Sequence, residues 1–198
     1  MGTDRRSRLA PEERRAQLVA LGVAALADQS LESLTIEQLA EGAGVSRGLV
    51  FHYFNSKLGL HREVVRTARD SMLHATEPAT DLPPLERLRD TLTRIVQFVR
   101  DHRGTFYSLV RGAASGSPEV REVVVEARLA QAERLIEVFR ELGAPDSELL
   151  RIALRSWVVF AEEVLVESAI DSDMSSREIV SFLERSAQAV AASVDRAS

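Results

Sequence analysis

Apolar residues recur every three or four positions along most of this chain, with polar residues between them. The stripe Leu85, Leu88, Leu92, Ile95 and Val99 is one example, because its offsets place five side chains on one face of a helix. The same spacing predicts further helices over residues 11–29, 58–76, 118–142 and 146–172, a shorter one over 105–114, and a last one that begins at residue 175. The chain is therefore predicted to be all-α.

Two short helices around a glycine-bearing turn are predicted within residues 35–57. Thr35 and Gln38 have the spacing of a capping box, in which each side chain satisfies a backbone donor at the start of a helix. Gly44 suits the tight turn that follows, and Ser46 is a favourable N-cap for the second helix. This arrangement is typical of a helix-turn-helix, whose second helix can lie in the major groove of DNA.

The stretch from Gly42 to Lys57 contains no carboxylate. It carries two cations, Arg47 and Lys57, and Lys57 is the only lysine of the chain. Because phosphates repel carboxylates, a surface without acids favours contact with a nucleic acid. The alternative is a solvated face on a small helical domain that does not bind DNA.

The string LTIEQLAEGAGVSRGLVFHYFNSK resembles the DNA-binding segment of the tetracycline-repressor (TetR) family of bacterial transcription regulators, and the similarity covers residues 10–60. Two positions depart from the family pattern: Phe51 replaces a frequent tyrosine, and Ser30 replaces a glycine that usually ends the first helix. The resemblance implies phosphate contacts by Thr35, Ser46, Tyr53 and Lys57. It implies contacts with base edges by Arg47, Gly48, Leu49 and His52.

The resemblance also implies two domains. A three-helix DNA-binding domain over residues 11–57 would be followed by a larger helical domain for effector binding and dimerisation over residues 58–198. Residues 1–10 hold three arginines without periodicity. They are either a frayed terminus or a flexible basic arm that reaches DNA.

Composition restricts the function further. The formal net charge is −5, yet residues 1–60 carry seven basic and seven acidic side chains, so the acidity lies in the remainder of the chain. The absence of cysteine excludes disulfides, thiolate metal sites and cysteine nucleophiles. No secretory signal opens the chain, and its longest apolar run is too short to span a membrane. We therefore expect a cytoplasmic protein.

A small-molecule effector site is expected in the larger domain, where several aromatic and several polar residues fall in the middle helices. The alternative is that these aromatic residues only form the core. Glu162 and Glu163 interrupt a very apolar helix, so we expect them to pair with Arg111, Arg155 or His102. The candidate effector-binding residues are Phe98, His102, Phe106, Tyr107, Arg111, Trp157, Phe160 and Glu163.

The helix predicted over residues 146–172 is apolar on nearly all sides, so it must be covered from several directions. Together with the helix at 175–197 it would form a four-helix interface between two copies of the chain. A fully intramolecular bundle is the alternative.

These observations lead to one functional hypothesis. The chain is expected to be a homodimeric regulator that binds a palindromic double-stranded operator, most simply a repressor released by a small molecule. No cofactor, metal site or catalytic residue is expected, because the histidines lack metal-ligand spacing and no nucleotide-binding or nucleophile motif is present. The competing hypothesis is a helical adaptor that binds only protein.

Overall fold

The computed structural model describes residues 9–112 and 117–195, apart from the side chains of residues 111, 112 and 195. These ranges are helical and contain no strand, which confirms the predicted all-α class. The helices are α1 (Pro11–Ala25), α2 (Ile36–Ala43), α3 (Arg47–Phe54), α4 (Lys57–Ala75), α5 (Pro84–Asp101), α6 (Arg103–Gly112), α7 (Pro118–Glu141), α8 (Glu148–Leu165) and α9 (Ser176–Asp195). A 3₁₀ turn spans Leu31–Ser33 and a π-helical turn spans Val166–Ile170.

The first helix ends earlier than its periodicity predicts. After Ala25 the backbone tightens, and the N–H of Leu26 donates to the carbonyl of Val23 at 3.1 Å. Ser30 then adopts an extended conformation and begins the 3₁₀ turn, where the N–H of Ser33 donates to its carbonyl. No left-handed residue is needed at position 30, which explains why serine can stand where related sequences have glycine.

The capping signals around the turn between α2 and α3 form as the sequence predicts. The N–H of Thr35 donates to Gln38 Oε1 at 2.8 Å, and the N–H of Gln38 donates to Thr35 Oγ1 at 3.2 Å. Gly44 has a φ of 64°, in the left-handed region. Ser46 Oγ accepts the N–H of Leu49 and so begins α3. Val50 and Phe54 of α3 are buried and attach this helix to the core of the small domain.

Helix α4 joins the two parts of the molecule, because it packs against α1 on one side and against α7 on the other. Its start lies very close to the end of α3. A Cβ at Gly59 would lie 2.1 Å from the carbonyl oxygen of Phe54, so only glycine fits there. The orientation of α3 is therefore fixed relative to the first turn of α4.

The larger part of the molecule is a helical bundle in which α5 packs against α7 and α9, and α8 packs against α7 and α9. Its core includes the fully buried side chains Val96, Ile136, Leu150, Leu154 and Leu183. The helix predicted to reach residue 172 is α-helical only to Leu165. In the part of the chain that the structure describes, no helix has both the length and the apolar character needed to cross a lipid bilayer.

Candidate DNA-binding surface and ligand cavity

One face of α3 is turned away from the core and forms an exposed surface with the starts of α2 and α4. Ser46, Arg47, Gly48, His52 and Lys57 are exposed on it. The other predicted DNA contacts are half-buried, which still leaves part of each side chain accessible; these are Thr35, Leu49 and Tyr53. The eight residues that the sequence predicts to contact DNA thus lie on or at the edge of one surface.

The beginning of α3 is open to an approaching ligand. Gly48 has no atom within 4 Å on the side where a Cβ would project, other than Ser46 Oγ at 4.0 Å. The N–H groups in the first turn of a helix have no intrahelical acceptor, and the helix dipole favours an anion there. The geometry allows a phosphate or a base edge to come close to the backbone at this point.

A carboxylate lies beside the main cation of this surface, and sequence reasoning missed it. Arg47 forms an ion pair with Glu37 of α2, and their side chains are 72% and 51% exposed. The acid-free stretch 42–57 begins only at the end of α2 and does not include Glu37, so only the packing of the two helices reveals this pair. Exposed ion pairs contribute at most about 1 kcal/mol, so Arg47 can exchange Glu37 for another anion at low cost.

Two side chains of α4 bind the segment that precedes α2. Lys57 Nζ donates to the carbonyl oxygen of Glu32 at 2.6 Å, and His61 Nε2 lies 2.9 Å from the carbonyl oxygen of Leu34. Burial lowers the pKa of His61, and the nearby charge of Lys57 lowers it further. The hydrogen bond to the backbone of Leu34 opposes these two effects. Lys57 keeps two more N–H donors for a phosphate.

A narrow cavity of about 100 Å³ lies in the larger part of the molecule, between α4 and the helices of the bundle. Most of its lining is apolar, with Met72 from α4, Leu92 from α5 and Val124 from α7 among the contributors. The polar side chains in the lining are Arg87, Thr91, Gln131, Arg134 and Glu162.

Only two of the predicted effector-binding residues, Phe106 and Trp157, line this cavity. Phe98 is buried outside the lining and packs against His102, with ring centroids 4.6 Å apart. Tyr107, Phe160 and Glu163 are exposed, because α6 and α8 turn them away from the cavity. The side chain of Arg111 lies outside the described part of the structure.

Among the side chains that the structure describes, which do not include Arg111, Glu162 pairs with none of the predicted partners. Its carboxylate accepts from Arg128 of α7, with Nε 2.8 Å from Oε2 and Nη2 2.7 Å from Oε2. Arg155 instead faces Glu133, at 3.6 Å. Burial raises the pKa of Glu162, and the bonds from Arg128 oppose that effect. Sequence periodicity does not give the register of α7 against α8, and this register decides which arginine reaches the acid.

Sequence reasoning also missed Arg87, Gln131 and Arg134 as cavity residues. Their spacing on α5 and α7 is that of ordinary polar positions, and nothing local separates a polar side chain facing a cavity from one facing solvent. Within residues 9–112 and 117–195, no group of histidine, aspartate and glutamate side chains could hold a metal ion.

Comparisons with known proteins agree with both parts of this architecture. Residues 18–64 match the family described as bacterial regulatory proteins, tetR family, and residues 84–190 match the tetracyclin repressor-like C-terminal domain. A tetR-family transcriptional regulator from Streptomyces coelicolor superposes with a TM-score of 0.80 at 26% identity, covering 95% of this chain and 86% of that one.

Curated relatives include both an activator and a repressor of transcription. The transcriptional activator FasR of Mycolicibacterium smegmatis is 28% identical over 111 residues, which is 55% of this chain and 50% of FasR. The transcriptional repressor KstR2 of the same organism is 32% identical over 80 residues, which is 39% of each chain. The chain thus spans half or less of the length of these relatives. Because the two family matches together cover both parts of the fold, the chain belongs to the TetR family of DNA-binding transcription regulators, which are not enzymes.

Proposed function

We propose that this regulator is a homodimeric repressor that binds a palindromic operator through α3 and is released when a small molecule enters the bundle cavity. One observation carries the proposal: α4 belongs to both sites. Its first turns bind the segment that leads into α2 through Lys57 and His61, while Met72, near its other end, lines the cavity.

On the DNA side, Arg47 and Gly48 at the exposed start of α3 would read base edges in the major groove, with Leu49 and His52 beside them. Thr35, Ser46, Tyr53 and Lys57 would contact phosphates around that groove. Arginine suits this role because its guanidinium can donate two hydrogen bonds to one guanine. The proposed exchange of Glu37 for DNA at Arg47 needs no change in the fold, since both side chains are exposed.

The proposed dimer interface uses α8 and α9. Large apolar side chains that the described part of the chain leaves about half exposed lie along this face, and Phe160 and Phe182 meet there, with ring centroids 6.1 Å apart. The exposed residues are Leu149, Ile152, Val159, Phe160 and Phe182. A contiguous apolar stripe of this kind is typical of a subunit interface.

A two-fold dimer would read half-sites about one helical turn apart, near 34–36 Å. Ligand would favour a position of α4 that places the two α3 helices at another separation, and such a ligand must bind the released state more tightly than the DNA-bound one. Repression is proposed because KstR2 is a named repressor among the relatives, although FasR is a named activator.

The test is fluorescence anisotropy of the purified protein on the DNA that flanks its own gene, at about 50 and 200 mM salt. We expect specific, salt-sensitive binding with two chains per site. A monomer bound to each site would contradict the dimer. If binding fails both there and on a random operator library, after refolding to remove any retained ligand, the proposed function is wrong.

A further inference from the structure

Arg134 of α7 is unlike the other charged residues around the cavity. Its side chain is half-buried in the cavity wall, and among the described residues no carboxylate lies within ion-pair distance of it. The guanidinium donates instead to neutral oxygens at the end of α4: Nη2 to the carbonyl of Leu73, and Nη1 to the carbonyl of Thr76, both at 3.0 Å. Burial lowers the pKa of Arg134, and the charge of Glu77, which lies beyond ion-pair distance, opposes that effect.

The remaining charges of the cavity wall are compensated. Arg87 pairs with Glu141, and Glu162 pairs with Arg128. Among the described charges of the wall, Arg134 is thus the one without an ion-pair partner, since Glu77 acts on it only from a longer distance. This favours a ligand with one negative charge. A cationic ligand would have to displace Arg128 from Glu162, and removing one member of a buried ion pair is costly.

The shape and lining of the cavity restrict the rest of the ligand. The residues that α7 contributes run from Val124 to Val138. At a rise of 1.5 Å per residue, that stretch of helix is about 21 Å long. A cavity of about 100 Å³ that extends along such a length is narrow, and it is smaller than ordinary pockets for drug-sized ligands. A slender aliphatic chain fits such a cavity better than a ligand with several rings.

From this geometry we infer that the effector is a straight-chain monocarboxylate, whose carboxylate is bound by Arg134 and whose chain lies along the apolar wall. The inference rests on the proposed function only for its effect on DNA. Binding itself requires nothing beyond the cavity.

The same residue connects the ligand to α4. The last turn of a helix presents carbonyl groups without intrahelical donors, and a cation there is stabilising. Arg134 is that cation for α4, and Gln131, also in the cavity wall, donates to Thr76 Oγ1 at 3.3 Å. A carboxylate that engages Arg134 competes with the carbonyls of Leu73 and Thr76, so ligand binding loosens or moves the end of α4.

The experiment uses Trp157, the only tryptophan of the chain, which lines the cavity and reports on ligand through its fluorescence. Wild-type protein is titrated with decanoate, decan-1-ol and decylammonium, without DNA. We expect decanoate to bind about ten- to a hundredfold more tightly than decan-1-ol, the range for a charge-assisted hydrogen-bonded pair. Equal affinity of the acid and the alcohol, or tighter binding of the amine, would overturn the inference.

The ratio of acid to alcohol affinity is then measured in variants, because a ratio within one protein does not depend on how much of it is folded. Arg134→Gln should bring the ratio close to one, and Arg134→Lys should keep part of it. Arg87→Gln is the matched control, since Arg87 lines the same cavity but already has Glu141; its ratio should stay within about threefold of wild type. An acid-to-alcohol ratio that falls in Arg87→Gln but not in Arg134→Gln would refute the assignment.

The link to α4 has its own readout, which needs no operator. Saturating decanoate should speed hydrogen–deuterium exchange of the amides at residues 72–77 in wild type and not in Arg134→Gln. If decanoate binds through Arg134 but exchange of these amides stays unchanged, the ligand does not act on the end of α4. Failure to bind DNA would count against the proposed function and leave the ligand assignment standing.

Discussion

The imidazole of His61 donates from Nε2 to the carbonyl oxygen of Leu34, across 27 residues of chain, at 2.9 Å. The ring is 6% exposed, so this bond joins α4 to the segment between α1 and α2 inside the small domain. Since the buried ring is held neutral, the domain should respond to acid.

We expect the protein to lose stability as the pH falls below about 6.5, the ordinary pKa of histidine. Burial lowers the pKa of His61 in the folded state. Below pH 6.5 the unfolded chain therefore takes up a proton at this histidine that the folded protein does not. The free energy of unfolding then falls with pH until the lower, folded-state pKa is passed. Urea unfolding at pH 7.5 and 5.5 measures the loss. His61→Gln should cost about 1 kcal/mol at pH 7.5 and lose less stability on acidification. Equal acid losses in both proteins would contradict this role.

Glu37 should weaken DNA binding, because it competes for Arg47 and adds a negative charge near the phosphates. We expect Glu37→Gln to tighten operator binding a few-fold, while Arg47→Ala should cost about 1–3 kcal/mol and relax the preference at one base pair. Anisotropy on matched and mismatched sites measures both effects. Weaker binding by Glu37→Gln, with its stability unchanged, would indicate that Arg47 must be held by Glu37 to act.

Substitution of Gly48 should separate folding from DNA binding. A Cβ at this position projects into open space, and alanine in a helix is more stable than glycine by about 0.5–1 kcal/mol. Gly48→Ala and Gly48→Leu should therefore unfold at the same temperature as wild type or higher. We expect Gly48→Leu to lose operator affinity by at least tenfold, with alanine in between. Full affinity in the leucine variant would show that DNA does not approach the start of α3.

An acidic residue on the apolar face of α8 should break the proposed dimer. Phe160→Glu puts a charge where Phe160 and Phe182 are each 43% exposed, and burying that charge against a second copy is unfavourable. Sedimentation equilibrium should give a monomer. The control is Val125→Glu, since Val125 on α7 is equally exposed but lies on another face. Dissociation by the Val125 variant alone would move the interface to α7.

Local signals made much of the fold predictable. Thr35 with Gln38 and Ser175 with Glu178 form the capping boxes that their spacing predicts, because these bonds join residues three apart. The exposed face of α3 was also predictable, since Val50 and Phe54 mark its buried side.

The proposed ligand site was less predictable, because it depends on how separate helices meet. Phe160 and Trp157 are three residues apart on α8, yet one faces outward and the other lines the cavity. Arg134 carries no sequence signal at all, since its bonds to Leu73 and Thr76 exist only once α7 packs on α4. Sequence alone therefore predicted that a ligand site exists but not which polar groups define its chemistry.

The hydrogen bond from Lys57 to Glu32 has a practical consequence, because Lys57 is the only lysine of the chain. Its ε-amine is the single side-chain amine of this protein, and it stands at the proposed DNA surface. Acetylation there would remove the charge, limit donation to Glu32 and cost a phosphate contact in one step. One covalent modification at Lys57 would thus weaken DNA binding without any ligand in the cavity.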